Sequence, residues 1–246
     1  MLEGVGLIDL GTMRNNCMST SFTGNRFYQG MGVLLLALVV IGFGLAALVR
    51  QQNPLDLPIS FHLHGLVYLA WFGLFIFQAS LIGNNNRALH IKLGQLSIVL
   101  VITMIVMGCI MAQSSYNRGV SPIPGMSIQQ FMAFPVFDLF GLLLFYSLAL
   151  FKRFDAEFHK RAMLFTSIAI MDPATARIGE VIGIAPFPVI AGLFLVLAVI
   201  WHDRKVLSRV HLITWFGFLW VFLRLGFVFG FAATDKWANI ANAVFA

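Results

Sequence analysis

Charged residues and cysteines are both scarce in this sequence. Only 11% of the 246 residues are Asp, Glu, Lys or Arg, whereas 59% are hydrophobic, and soluble proteins usually carry about 25% charged residues. The composition therefore excludes a water-soluble globular protein, because no soluble core could bury so much apolar surface. The two cysteines, Cys17 and Cys109, stand far apart, which excludes a disulfide framework and a CxxC metal site.

Several functional signatures are also missing. The sequence contains no phosphate-binding loop, no nucleophile in a recognisable catalytic setting and no soluble catalytic domain. Residues 1–26 lack the basic region, apolar core and small-residue cleavage site of a signal peptide. The net charge of +6 does not indicate nucleic-acid binding, because the basic residues lie between apolar segments rather than on one polar face.

The sequence has instead seven apolar runs, most of them near the length of about 20 residues that crosses a hydrocarbon core of roughly 30 Å. They cover residues 28–49, 60–82, 91–113, 129–151, 160–182, 185–201 and 211–232. We therefore expect an all-α integral membrane protein, with an interfacial segment at residues 1–26 and a seven-helix domain at residues 27–246. Pro173 should kink the fifth helix, because proline has no backbone N–H to donate.

The basic residues predict the orientation of the bundle. Seven crossings put the two termini on opposite sides, and cytoplasmic loops are enriched in Lys and Arg. One side carries Arg14, Arg26, Arg87, Lys92, Lys152, Arg153, Lys160, Arg161, Arg204, Lys205 and Arg209, and the other only Arg50, Arg118 and Lys236. We expect the first side to be cytoplasmic, with the N-terminus in the cytoplasm and the C-terminus in the periplasm of a bacterial inner membrane.

Histidines recur at one level of the predicted bundle. His90, His159 and His211 open the third, fifth and seventh helices, and His202 closes the sixth helix on the same side. Imidazole binds zinc, iron, copper and haem iron. The pattern predicts a histidine-lined site at the cytoplasmic rim that binds a zinc or iron ion or one b-type haem, with at least two of the rings converging. The alternative is that these residues only mark the level of the lipid headgroups.

Three charged residues are predicted to lie deep in the membrane. Asp138, Asp172 and Arg224 are each 13 residues from the residue at the cytoplasmic end of their helix, which is Phe151, His159 and His211 respectively. This corresponds to about 20 Å along a helix. Charges at such a depth are stable only when they face the bundle interior and pair, so we expect Arg224 to contact both carboxylates.

The remaining polar residues of the outer half should extend this cluster. Arg177 and Glu180 are farther out on the fifth helix and are expected to continue the cluster toward His64. The cluster either locks three helices together or lines an outward-facing polar pocket for a quinone, a pigment headgroup or a proton path.

The sequence resembles a group of uncharacterised multi-helix bacterial membrane proteins from about residue 60 onward. The resemblance is carried by LHxxLG at residues 89–94, HKRAML at 159–164 and DPATAR at 172–177, together with His64, Trp71, Gln78, Arg87, His211, Arg224 and Trp237. The histidines at helix starts are also loosely similar to membrane domains of unknown function that are compared with b-type cytochromes. The chain departs from a diheme pattern, because its fourth helix has no histidine.

We therefore expect a membrane protein whose histidine site binds a metal or haem in a redox role. One alternative is a non-catalytic accessory subunit of a larger membrane complex, in which residues 1–26 or one lipid-facing wall contact other subunits. Another is a membrane hydrolase with a three-histidine zinc site. The expected partners are the lipid bilayer, other membrane subunits and a quinone or pigment.

Overall fold

The computed structural model describes residues 10–51 and 53–246, with side chains from residue 26 on except that of Pro54. This part of the chain is helical and contains no strand, which confirms the all-helical prediction. Six helical segments are long and apolar enough to cross a membrane, by length and composition. They are Arg26–Val49, Ile59–Gly83, Arg87–Asn117, Ile128–Phe151, Phe187–Leu207 and Leu212–Ala233.

The helices follow the predicted runs closely. They are α1 (Leu10–Val49), α2 (Ile59–Gly83), α3 (Arg87–Asn117), α4 (Ile128–Phe131), α5 (Ala133–Phe151), α6 (Ala156–Ile168), α7 (Asp172–Ile182), α8 (Phe187–Leu207), α9 (Leu212–Leu225) and α10 (Asp235–Phe245). A π-helical turn at Gly226–Gly230 and a 3-10 turn at Phe231–Ala233 join α9 to α10. The predicted interfacial segment falls partly outside the described residues, and from Leu10 on it is continuous with α1.

The fifth predicted helix is two short helices, which is why the described residues contain six membrane-capable helices rather than seven. α6 has 13 residues and α7 has 11 residues, and a turn separates them. Pro173 lies in the first turn of α7, where its missing N–H is tolerated. Asp172 opens the same turn, so the DPATAR motif begins a new helix instead of kinking an existing one.

Polar residues in the links fix where the helices begin. The side chain of Asn86 accepts a hydrogen bond from the backbone N–H of Leu89 at the start of α3. Asp155 does the same for the N–H of Phe158 at the start of α6. These caps satisfy N–H groups that have no partner within the helix. The positions of the nearby histidines therefore follow from the capping residues just before them.

Glycine allows close helix contact at two places in the bundle. Gly42 on α1 lies against the backbone carbonyl of Ala174 on α7, and an added Cβ would collide with it. Gly217 on α9 lies against the ring of Phe165 on α6, where a Cβ would also collide. Helix α7 thus packs closely against α1, and α6 against α9, at a glycine that leaves room for the contact.

The core of the bundle lies where α5, α6 and α9 meet. The ring of Phe145 packs against Phe165 and Trp220, with centroid separations of 5.6 Å and 5.4 Å. Large apolar side chains such as Val99 and Phe194 point outward and are more than half exposed. Outward apolar side chains are stable in lipid, whose tails are as apolar as the side chains themselves.

Helix α10 closes the end of the bundle opposite His90, His159, His202 and His211. The indole N–H of Trp237 donates to the carbonyl of Gln129 at 2.7 Å, and the hydroxyl of Tyr116 bonds to the side chain of Asn242 at 2.7 Å. Trp237 and Ala241 are buried against α4 and the turns after α9. The two ends of the bundle therefore differ in chemistry, with aromatic packing around Trp237 at one end and four of the six histidines at the other.

Candidate functional site

Two of the predicted histidines meet at one end of the bundle. His90 lies in the first turn of α3 and His159 in the first turn of α6. Their ring centroids are 6.3 Å apart and their planes are nearly perpendicular, at 84°. Both side chains are partly buried. The histidine pair, His90 and His159, is the first candidate site.

The hydrogen bond of His159 determines which of its ring nitrogens is free. The Nδ1 atom lies 2.9 Å from the carbonyl oxygen of Ala149 on α5. Since a carbonyl only accepts hydrogen bonds, Nδ1 carries a proton, and in the neutral form of the ring the lone pair is then on the Nε2 atom. This arrangement, with Nδ1–H bonded to a backbone carbonyl, is the usual one for histidines that bind a metal through Nε2.

Gln78 on α2 lies beside the histidine pair. Its amide nitrogen donates to the backbone carbonyl of His90 at 3.2 Å. Among the described residues, neither the amide oxygen of Gln78 nor the Nδ1 atom of His90 has a hydrogen-bond partner, although both atoms are buried. Buried polar atoms almost always have partners. Both atoms are therefore open to a hydrogen bond from a water molecule or another polar group.

The other two histidines of this end lie apart from the pair. His202 stacks on the ring of Phe27 with centroids 3.9 Å apart, and His211 packs edge-on against Phe158 at 5.9 Å. In the described part of the chain, no three His, Cys, Asp or Glu side chains are grouped closely enough to hold a metal ion. The three-histidine zinc site expected for a hydrolase is therefore not formed by these residues, because His211 and His202 are used for capping and stacking.

His211 acts as the N-cap of α9. Its Nδ1 atom accepts a hydrogen bond from the backbone N–H of Ile213 at 3.4 Å. Burial, together with the nearby Arg161 guanidinium, lowers the pKa of His211 below its ordinary value. The ring is therefore neutral at neutral pH and retains the lone pair that capping requires.

A buried ion pair that the sequence did not predict holds the histidine end together. Arg161 on α6 donates through Nε to the carboxylate of Asp203 on α8 at 2.7 Å, and its Nη2 atom lies 2.6 Å from the same oxygen. Both side chains are 0% exposed. The Nη1 atom of Arg161 also donates to the carboxylate of Glu157 at 2.6 Å. We call the Arg161–Asp203 pair the rim clamp.

The second carboxylate oxygen of the rim clamp holds α9. It accepts from the backbone N–H of His211 at 2.9 Å and from the hydroxyl of Thr214 at 2.7 Å. One carboxylate therefore joins α6, α8 and α9. From the sequence alone, Arg161 is one more basic residue of the rim. The signal for its buried pairing is Asp203, an acidic residue among basic neighbours near the end of an apolar run.

The second candidate site is in the middle of the bundle. Arg224 on α9 lies between Asp138 on α5 and Asp172 on α7. Its Nη2 atom is 3.3 Å from Asp138, and its Nη1 atom pairs with Asp172. All three side chains are mostly buried, with exposed fractions of 11%, 10% and 19%. We call these three residues the membrane triad.

Three residues expected beside the membrane triad are bonded elsewhere. Glu180 forms an exposed ion pair with Arg50 at 2.7 Å. Arg177 donates to the carbonyl of Pro173 at 2.6 Å and lies over the ring of Phe43, whereas His64 packs on the ring of Tyr68. All three residues lie on α7, but at 3.6 residues per turn Arg177 and Glu180 are about 140° and 80° around the helix axis from Asp172. Asp172 therefore meets Arg224, while the other two contact Phe43 of α1 and Arg50 just beyond it.

A small cavity adjoins the membrane triad. It has a volume of about 30 Å³ and is bounded by Asp172, Arg224, Phe145, Trp220 and residues of α6 and α8. A cavity of this size accommodates one or two water molecules. The expected quinone or pigment stays a prediction.

Comparisons with protein family models, curated proteins and solved structures found no match. The resemblance to uncharacterised bacterial membrane proteins therefore stays a prediction.

Proposed function

We propose that the chain is a seven-crossing protein of the bacterial inner membrane, with α6 and α7 together forming one broken crossing. The neighbours of the two helices support this. At the start of α6, His159 contacts His90 and Phe158 contacts His211, both at the histidine end. Near the end of α7, Glu180 pairs with Arg50, which follows the C-terminal end of α1. Helix α8 then runs back to His202. The basic residues support a cytoplasmic location for the histidine end.

At that end, we propose that the histidine pair binds one transition-metal centre, either a metal ion or the iron of a haem, in a redox role. The observation that carries the proposal is the convergence of His90 and His159, with Nε2 of His159 free for coordination. These residues come from two helices that are separated by 69 positions in the chain, so local helix geometry does not explain their meeting.

The separation of the two rings fits a shared metal. The ring centroids lie 6.3 Å apart, which is close enough for both imidazoles to reach one ion at N–metal distances of about 2.0 to 2.1 Å. The same two imidazoles would hold the iron of a haem, which histidine also binds. A bare ion needs further ligands, and the unpartnered amide oxygen of Gln78 is available nearby.

The residues of the chain would orient the centre rather than supply chemistry. A bound metal or haem would supply one-electron transfer. The carbonyl of Ala149 fixes the ring of His159, and the amide of Gln78 anchors the first turn of α3 through the carbonyl of His90. Outer contacts of this kind fix ligand direction and raise ligand basicity.

The test uses the full-length protein, purified in mild detergent from membranes of cells supplied with iron and zinc. We expect about one bound metal per chain, and a Soret band in the visible spectrum if the metal is haem iron. His90→Ala and His159→Ala should each remove it. The matched control is His62→Ala, which removes an exposed histidine at the other end of α2. Metal retained in both variants, or no metal in the parent protein, would overturn the proposal.

The second candidate function is a non-catalytic accessory subunit. It is favoured by the rim clamp, whose two carboxylate oxygens are fully used in joining three helices. Such a clamp stabilises helix positions and leaves no group for chemistry. A parent protein without metal or Soret band that co-purifies with other membrane subunits in fixed ratio would support this function instead.

A further inference from the structure

The membrane triad has an imbalance of charge. It contains one guanidinium, on Arg224, and two carboxylates, on Asp138 and Asp172, so the fully ionised group carries a net charge of −1. Each carboxylate uses a different nitrogen of Arg224. A single guanidinium therefore serves two acids in a setting where an uncompensated charge is strongly unfavourable.

No second cation among the described side chains offsets this charge. Helices α6 and α8 line the adjoining cavity with apolar residues only, such as Ile168 and Val189. The nearest titratable group on another element is Tyr68 on α2, whose hydroxyl donates to the carbonyl of Met104. Farther from the triad are His64 on α2, Arg177 on α7 and the exposed Cys109 on α3. Arg177 contacts neither carboxylate, because it bonds to Pro173.

We propose that Asp138 and Asp172 share one bound proton, and that the membrane triad is an intramembrane proton-binding site. With one proton the triad is neutral. Two carboxylates held at one site cannot both remain ionised without a matching positive charge. Ionisable residues inside membrane segments pair with one another, and buried acids among them often belong to proton relays. This site is separate from the histidine pair, and the proposal does not depend on it.

The cavity beside the triad supplies a means of proton exchange. Its volume of about 30 Å³ next to Asp172 and Arg224 accommodates water. The π-helical turn at Gly226–Gly230 begins two residues after Arg224. Such turns widen the helix locally and often occur at functional sites.

The proposal is tested by infrared spectroscopy of the purified full-length protein at neutral pH in H₂O and D₂O. We expect one protonated-carboxyl stretching band of about one group per chain, shifted in D₂O because the proton exchanges through water. Asp138→Asn and Asp172→Asn should each abolish the band, since one remaining carboxylate is balanced by Arg224. Asp235→Asn is the control, because Asp235 is an exposed acid at the start of α10 and its loss should leave the band unchanged.

Two results would overturn the proposal. The first is a parent protein without the band, and this needs no variant to fold. The second is a band that persists in both Asn variants, which would place the proton on another acid. A parent without the band whose melting temperature rises in sodium chloride but not in choline chloride would assign the compensating charge to a metal cation, and so would also overturn the proton site.

Discussion

A guanidinium with no exposed surface is stable only when its N–H groups find acceptors within the protein. Arg161 meets this condition with the carboxylates of Asp203 and Glu157 and the carbonyl of Glu157. Glu157 and Arg161 are one helical turn apart on α6, so their contact is local. Asp203 is 42 residues away. Its contribution therefore depends on the fold bringing α8 to α6.

Removing the arginine of the rim clamp should strongly destabilise the protein. Arg161→Met keeps most of the side-chain volume but leaves the buried carboxylate of Asp203 without its cation. Breaking one partner of a buried pair costs about 3 to 5 kcal/mol. The measurement is the free energy of unfolding in detergent micelles, from denaturant titration.

The matched control for the rim clamp is Arg209→Met. Arg209 is an exposed arginine in the link between α8 and α9, at the same end of the bundle. Its replacement should change the unfolding free energy by less than about 0.5 kcal/mol. Similar effects in the two variants would show that the loss comes from removing any positive charge at the rim rather than from the buried pair.

Individual contacts were predicted unevenly from the sequence, for a physical reason. Arg224, Asp138 and Asp172 were expected to meet, because the depth of each charge in its apolar run fixes its level in the membrane. The histidine level was derived in the same way. Depth says nothing about rotation around the helix axis, however. It could not tell that His90 meets His159 while His202 stacks on Phe27.

At the level of helices, the apolar runs predicted position well and continuity less well. The second predicted run, 60–82, corresponds to α2 at Ile59–Gly83, and the third, 91–113, falls within α3 at Arg87–Asn117. The fifth run, 160–182, became two helices. Pro173 marks the place, but proline is compatible with either a kink or a new first turn. Only packing against α1 and α9 distinguishes the two.

The contact between α1 and α7 should depend on one glycine. Gly42→Ala should destabilise the protein by about 1 to 3 kcal/mol, as overpacking of a tight contact does. The added Cβ meets the backbone carbonyl of Ala174, which cannot move aside as a flexible side chain would. Thermal unfolding of the purified protein in detergent measures the effect.

Gly44 supplies the comparison for this contact. It lies two residues farther along α1, is exposed, and has no neighbouring atom within 4 Å of the position that a Cβ would take. Gly44→Ala should leave stability unchanged or raise it by up to about 1 kcal/mol, because alanine favours a helix more than glycine does. Equal losses at both positions would indicate that flexibility of α1, rather than its contact with α7, matters.

For the whole molecule, the broken pair α6–α7 decides the topology. If the pair crosses the membrane, the chain has seven crossings and its termini lie on opposite sides. If it does not cross, the six membrane-capable helices put the termini on the same side. The link between α7 and α8, residues 183–186, is the segment whose location differs between these two cases.

Single cysteines should distinguish the two topologies. Each variant carries one cysteine in a background with Cys17 and Cys109 replaced by Ala. One variant has it at Lys152, in the link after α5, and a second variant has it at Val120, in the loop after α3. Both sites are exposed. A membrane-impermeant maleimide added to intact spheroplasts should label Val120→Cys from the periplasm and should label Lys152→Cys only after the membrane is permeabilised.

The deciding position is Ala185, an exposed residue between α7 and α8. Helix α6 begins at the histidine end, and α7 continues away from that end to the link that contains Ala185. Helix α8 then runs from this link back to the histidine end at His202. We therefore expect Ala185→Cys to be labelled from the periplasm like Val120→Cys, because a crossing by α6 and α7 carries the link to that side. Arg209→Cys, in the next link, should behave like Lys152→Cys. Labelling of Ala185→Cys only after permeabilisation would mean that the pair does not cross, and the seven-crossing topology would then be wrong.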